Sequence, residues 1–107
     1  MLSTLKQLLG FGPKTDYAEL KRNGAIILDV RSKSEFADGH IKNSINIPVD
    51  TLLQNWNKLK NKSTPIITCC ATGNRSGMAK RILQSKGYEQ VYNGGGWKSL
   101  NKKISDI

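Results

Sequence analysis

Cysteine and histidine are scarce in this chain: two of the first and one of the second in 107 residues. The cysteines, Cys69 and Cys70, are neighbours, and a disulfide between adjacent residues is strained and rare, so no disulfide framework is expected. With His40 as the single imidazole there is no zinc-ligand spacing, and neither a metal nor another cofactor is expected. Unbridged thiols point to a reducing compartment, and the expected location is the cytoplasm. Long apolar runs are missing as well. Nothing approaches the ~20 residues of a membrane span. The apolar start, Met1 to Gly10, is interrupted by Lys6 and Gln7 and lacks a basic leader and a small-residue cleavage site, so it does not read as a signal peptide. Internal repeats and low-complexity segments are absent too.

Acidic residues are also few, eight against seventeen Lys and Arg, for a net charge of +9. Such an excess suits a solvated surface, attraction of small anionic substrates, or nucleic-acid binding. The basic residues are scattered, with no aromatic-interleaved stripe and no recognition motif, so nucleic acid ranks last and is not an expected partner.

What is present is a chain long enough for one small domain with its own core. Leu2, Leu5, Leu8 and Leu9 share one helical face, and Gly10 to Pro13 breaks that segment from the rest. The expected organisation is an amphipathic segment over 1–13 and a domain over 14–107. Asp16 with Glu19 has capping-box spacing, which predicts a helix to Arg22 closed by Asn23-Gly24. Ala25 to Val30 is a continuous apolar run apart from Asp29, as in a strand buried on both faces. Ser32 with Glu35 predicts a second capped helix through Ala37, followed by a turn at Asp38-Gly39-His40. Ile45 to Ile47 reads as a short strand stopped by Pro48. Leu52, Leu53, Trp56 and Leu59 have helical spacing. Pro65 to Cys69 is the second buried strand, and from Ser76 a helical pattern runs to Gly87. Val91-Tyr92 reads as a last short strand, Asn93 to Trp97 as a flexible turn, and Ser99 to Ile107 as a terminal helix. Strands alternating with helices predict an α/β domain with a mostly parallel sheet and helices on both faces. Active sites of such sheets gather at the carboxyl ends of strands.

Two groups lie at such ends: Asp29-Val30-Arg31, and the segment Cys70-Ala71-Thr72-Gly73-Asn74-Arg75-Ser76. Cys70 is the candidate nucleophile. A free thiol has a pKa of about 8.5, and a helix N-terminus with nearby cations lowers it toward the reactive thiolate. Backbone N–H groups from Ala71 to Ser76 can form an anion-binding nest. Gly73 permits positive φ, Ser76 is a natural N-cap, and Arg75 adds a positive charge at the rim. The alternative is an inert cysteine at a strand end. No histidine stands near Cys70 in sequence, so a chemistry needing only the thiolate fits better than a Cys-His hydrolase. Cys69 is expected on the opposite face, because strand side chains alternate.

In three motifs the chain resembles a single-domain rhodanese. The first is Leu28-Asp29-Val30-Arg31 followed by Glu35-Phe36, Gly39-His40-Ile41 and Ile45-Asn46-Ile47-Pro48. The second is the loop from Cys70 to Ser76. The third is Gly87-Tyr88, Val91-Tyr92 and Gly94-Gly95, with Trp97 after it. The resemblance implies a doubly wound α/β fold and sulfurtransferase activity. Cys70 would take the outer sulfur of thiosulfate or a related persulfide donor, and the resulting persulfide would pass it to cyanide or a thiol, including the thiol of a protein. It implies that Ala71, Thr72, Gly73, Asn74, Arg75 and Ser76 bind the substrate. Asp29, Arg31, Glu35 and His40 are read as structural supports, with an Arg31–Glu35 pair across the helix start. Six residues from Cys70 to Arg75 match the sulfurtransferase loop, whereas the loop of related phosphatases is longer; a phosphatase or arsenate reductase is therefore disfavoured. Ala71 departs from the basic or larger polar residue that many members carry after the cysteine, which bears on donor preference. The alternative function is a sulfur-relay or interaction module taking persulfide sulfur from a protein partner.

Overall fold

The two longest apolar, β-branched runs form the middle of the sheet. In the computed structural model, which describes residues 14–105, these are β1 (Ile26–Asp29) and β3 (Ile66–Cys70). The amphipathic segment expected over 1–13 and the last two residues of the expected terminal helix lie outside the described residues. β1 and β3 pair in parallel, with Ile26 opposite Ile66 and Asp29 opposite Cys69. The edges are β2 (Ile45–Asn46) beside β1 and β4 (Val91–Gly96) beside β3. All pairings are parallel, in the order β2-β1-β3-β4. The connection from β1 leads to one side and that from β3 to the other, so the winding reverses between the carboxyl ends of these two strands. Open parallel sheets form their ligand crevices at that reversal.

Alternation along the central strands divides the core in two. Leu28, Val30, Ile66 and Cys70 face one side, with Leu52, Ala79 and Leu83 packed on them. These come from α3 (Leu52–Asn55) and α4 (Asn74–Ser85). Ile27, Ile67 and Cys69 face the other side, against Leu100 and Ile104 of α5 (Trp97–Ile104) and Tyr17 and Leu20 of α1 (Tyr17–Arg22). The doubly wound α/β arrangement anticipated from the alternating pattern is the one the chain adopts.

Three local expectations need correction. The helical spacing of Leu52, Leu53, Trp56 and Leu59 does not make one helix: α3 is flanked by single 3₁₀ turns, Val49–Thr51 and Trp56–Lys58. Thr51 Oγ1 donates to the Pro48 carbonyl and Asn55 Nδ2 to the Thr51 carbonyl, local bonds that compete with a regular helical ladder. The helix after the cysteine starts at Asn74, and its N-cap is Gly73 at φ +107°, not Ser76. Asn93 to Gly96 is not a free turn but the last four residues of β4. Gly94 explains why glycine is needed there: a Cβ would lie 2.8 Å from both Ile67 Cγ2 and the Thr68 carbonyl oxygen, and 2.9 Å from Leu100 Cδ2.

Candidate active site

The carboxyl end of β1 is locked by an ion pair between Asp29 and Arg31. Asp29 Oδ2 accepts from Arg31 Nη2 at 2.7 Å, and Oδ1 accepts the Arg31 N–H and Nε–H, both at 3.0 Å. Both residues are buried, and a buried charge is tolerated only when paired and hydrogen-bonded. The Asp29 carboxylate, countering burial, holds the Arg31 guanidinium above its ordinary range. The same guanidinium donates to the carbonyls of Gly39 at 2.7 Å and Glu35 at 3.2 Å, and lies 4.7 Å from the centre of the Trp97 ring. Arg31 thus ties β1 to α2 (Lys33–Asp38) and to the start of α5.

Ser32 and Glu35 complete the reciprocal capping box at the start of α2. The expected Arg31–Glu35 side-chain pair does not form. Arg31 reaches only the Glu35 carbonyl, and the Glu35 carboxylate crosses to Arg75, with Nη1–Oε1 at 2.7 Å and Nη2–Oε2 at 2.9 Å. Arg75, followed by the Ser32 N–H and hydroxyl, holds the Glu35 carboxyl well below the usual carboxylate range. Arg75 is therefore no free cation at the rim. It braces the loop against α2, and the loop's own main-chain dipoles remain to act on the sulfur.

Those dipoles converge on Cys70 at the end of β3. Its Sγ accepts the N–H of Gly73 at 2.9 Å and of Ser76 at 3.3 Å, and lies 3.4 Å from Ser76 Oγ. Burial pushes this thiol up, but the Ser76 hydroxyl and the N–H groups of Ser76, Gly73 and Thr72 act the other way, and the net displacement is downward. Cys69 has no such cradle. It is fully buried on the opposite face, where burial and the Asp29 charge push its thiol up to about 12. Cys70 is itself only 1% exposed. Its sulfur lies at the floor of the loop, a setting that favours small reagents. Ala71, Thr72 and Asn74 are exposed around it, and Ser76 is buried beneath. Thr68 Oγ1 holds the first turn of α4 to β3 by donating to the Ser76 carbonyl at 2.9 Å.

His40 makes no hydrogen bond to the sulfur: Nδ1 contacts the Phe36 carbonyl at 2.7 Å, and the ring stacks on Phe36. No group of three or more His, Cys, Asp or Glu placed to hold a metal ion exists among the described residues. Beside the loop a cleft of about 690 Å³ is lined by Arg31, Glu35, Gly39, Ala71, Trp97 and Lys98, among others. Two contributors escape the sequence reading. Asn46 Nδ2 donates to the carbonyls of Asp29 and Arg31, and Asn93 reaches Ser76. Asparagine beside a strand end is too common a signal to single them out.

A thiol held by main-chain N–H groups at the winding reversal of a small parallel sheet defines a class of α/β domains with thiolate chemistry. The sequence model of the Rhodanese-like domain matches residues 13–103, and the chain belongs to that family. It is 34% identical to the thiosulfate sulfurtransferase GlpE of Ectopseudomonas mendocina (strain ymp) over 69% of this chain and 67% of that one. It is 37% identical to the protein YqhL of Bacillus subtilis (strain 168) over 75% of this chain and 64% of that one. The aligned region thus spans about two thirds of the length of these curated relatives. Among solved structures, a rhodanese with anions from E. coli superposes with a TM-score of 0.66 at 32% identity, covering 70% of this chain and 89% of that one. No described helix is long and apolar enough to cross a membrane.

Proposed function

We propose that the protein is a sulfurtransferase working through a Cys70 persulfide. The observation that carries this is the pair of N–H groups, Gly73 and Ser76, aimed at a sulfur that has no imidazole among its hydrogen-bond partners. Such a site stabilises a thiolate without a general base, which suits attack on sulfane sulfur. In the first half-reaction the Cys70 thiolate forms an S–S bond to the outer sulfur of thiosulfate, and sulfite leaves with the electrons of the broken bond. In the second, a thiolate or cyanide attacks that outer sulfur and the Cys70 thiolate is released. The loop residues Ala71 to Ser76 bind the donor, and Asp29, Arg31 and Glu35 hold the loop and its neighbours in place. His40 closes the turn after α2. Two unpaired thiols suit a reducing compartment, the cytoplasm in this reading.

Mass spectrometry after incubation with thiosulfate tests the proposal. The expected product carries one added sulfur on Cys70, and the Cys70→Ser variant carries none. A folded sample that gains no sulfur from thiosulfate, a polysulfide or a protein persulfide would overturn it. The cleft beside the loop is lined by Ala71, next in sequence to the cysteine, which gives a partner protein a surface beside the sulfur and supports a second reading: a relay taking sulfur from a protein persulfide. That reading expects faster labelling by such a donor than by thiosulfate, and fails if the order is reversed.

A further inference from the structure

Asn93 stands exposed on β4 and does not touch the sulfur, yet its amide joins three parts of the site. Nδ2 donates to the Gly73 carbonyl at 3.3 Å, and Oδ1 accepts the Gly95 N–H at 3.0 Å. These partners determine the orientation of the amide, since a flip would set donor against donor and acceptor against acceptor. The Oδ1 so oriented lies 2.6 Å from Ser76 Oγ. Two oxygens that close share a proton, and the hydroxyl supplies it. Ser76 has only that one proton, and Cys70 Sγ lies 3.4 Å from the same oxygen. With the proton on the Asn93 side, Oγ presents lone pairs to the sulfur. They suit an S–H donor and repel a charged sulfur.

We propose that Asn93 is a positioning residue of the thiol site: its carbonyl holds the Ser76 proton, so the hydroxyl accepts from the neutral Cys70 thiol and must turn to donate when the sulfur is charged. The proposal rests on the reading of Cys70 as the reacting group. Gly77 supports it independently. Glycine is unfavourable inside a helix, yet here a Cβ would come within 3.1 Å of Asn93 Nδ2, so its absence leaves room for the amide. The Gly73 carbonyl, 3.0 Å from Ser76 Oγ, is the hydroxyl's other neutral acceptor. A charged sulfur outcompetes that carbonyl once Asn93 is gone. The other charged or titratable groups around the sulfur are paired or inert. Asp29 and Arg31 neutralise each other at the end of β1, Glu35 of α2 holds Arg75 of α4, and burial on the opposite face pushes the Cys69 thiol up to about 12. β4 brings only Asn93 and three glycines to this end, and Lys98 of α5 lies in the neighbouring cleft.

Ultraviolet absorbance of the thiolate, titrated against pH with Cys70→Ala as the blank, reads this directly. Asn93→Ala is expected to move the Cys70 midpoint downward, raising the thiolate fraction about two- to tenfold at a pH below the midpoint, the equivalent of one neutral hydrogen bond. In a Ser76→Ala background the same substitution is expected to change nothing. The isosteric Asn93→Asp is expected to move the midpoint upward, and by more with Ser76 present than without it. An Asn93→Ala shift that is absent, or equal with and without the Ser76 hydroxyl, overturns the proposal. If Asn93→Ala does not fold, an Asn93→Asp shift independent of Ser76 overturns it instead. No readout here requires sulfur transfer, so an unreactive protein with these shifts intact refutes the proposed function and leaves Asn93 its role.

Discussion

Gly94→Ala and Gly95→Ala form a pair whose ranking tests the packing of β4. At Gly94 the added methyl would meet a carbonyl oxygen and two core side chains, all at 2.8–2.9 Å. The oxygen belongs to Thr68 of β3 and cannot retreat without disturbing the pairing that carries Cys70. Overpacking of this kind costs about 1–3 kcal/mol, and an immovable backbone atom puts Gly94→Ala near the top of that range. For a domain of this size each kcal/mol is about 4–8 °C in Tm, so a fall of about 12–24 °C is expected. At Gly95 a Cβ meets nothing within 4 Å, and the cost comes from φ at +79°. The left-handed region costs about 1–2 kcal/mol for a residue with a side chain, partly offset by the stiffer unfolded chain. The expected fall is then about 4–8 °C. Urea and thermal melts followed by circular dichroism measure both. If Gly94→Ala is no worse than Gly95→Ala, the close approach of β4 to β3 is wrong, and so is the account of how the thiol loop is supported.

Three further outcomes follow from the same geometry. Asp29→Ala strands the buried Arg31 guanidinium and is expected to cost about 3–5 kcal/mol in denaturant melts; a loss under 1 kcal/mol would mean that the pair is not a structural clamp. Alkylation of the native protein is expected to modify Cys70 alone, with a midpoint below that of an unperturbed thiol. Cys69 should react only after denaturation, and two adducts on the folded chain would contradict its placement. Glu35 has a depressed pKa in the folded state, so its contribution to stability is full above its ordinary value of 4.5 and declines as acid protonates it. The stability gap between wild type and Glu35→Gln is therefore expected to be larger near about pH 6 than near about pH 3, and a gap that does not move with pH would remove Arg75 as its cause.

The parts of this molecule legible in the chain are those written within a few residues. The buried strands show as apolar runs, the Ser32–Glu35 box as a spacing of three, and the thiol loop as a cysteine, a glycine and a following helix. Cys69 and Cys70 facing opposite ways needs only the alternation of a strand. The fold class follows too, because alternating strands and helices of this length leave few arrangements besides a parallel sheet. Sequence and structure part where a local signal has a distant competitor. Asn93 to Gly96 has the composition of a turn, but β3 supplies a partner edge and the glycines let it approach. Ser76 looks like a cap, but Gly73 takes that place by adopting positive φ, and the hydroxyl is left for the sulfur and Asn93.

Pairing of charges and sharing of protons belonged to the folded molecule alone. Arg75 and Glu35 lie 40 positions apart, and Ser76 and Asn93 lie 17 apart. A parallel sheet brings such segments together at one end because each strand must return by a crossover before it can pair. Residue order could announce a reactive cysteine, since a nest of N–H groups is made by consecutive residues. It could not announce which side chains neutralise the loop arginine or orient the hydroxyl beside the sulfur, since those are met only across the sheet.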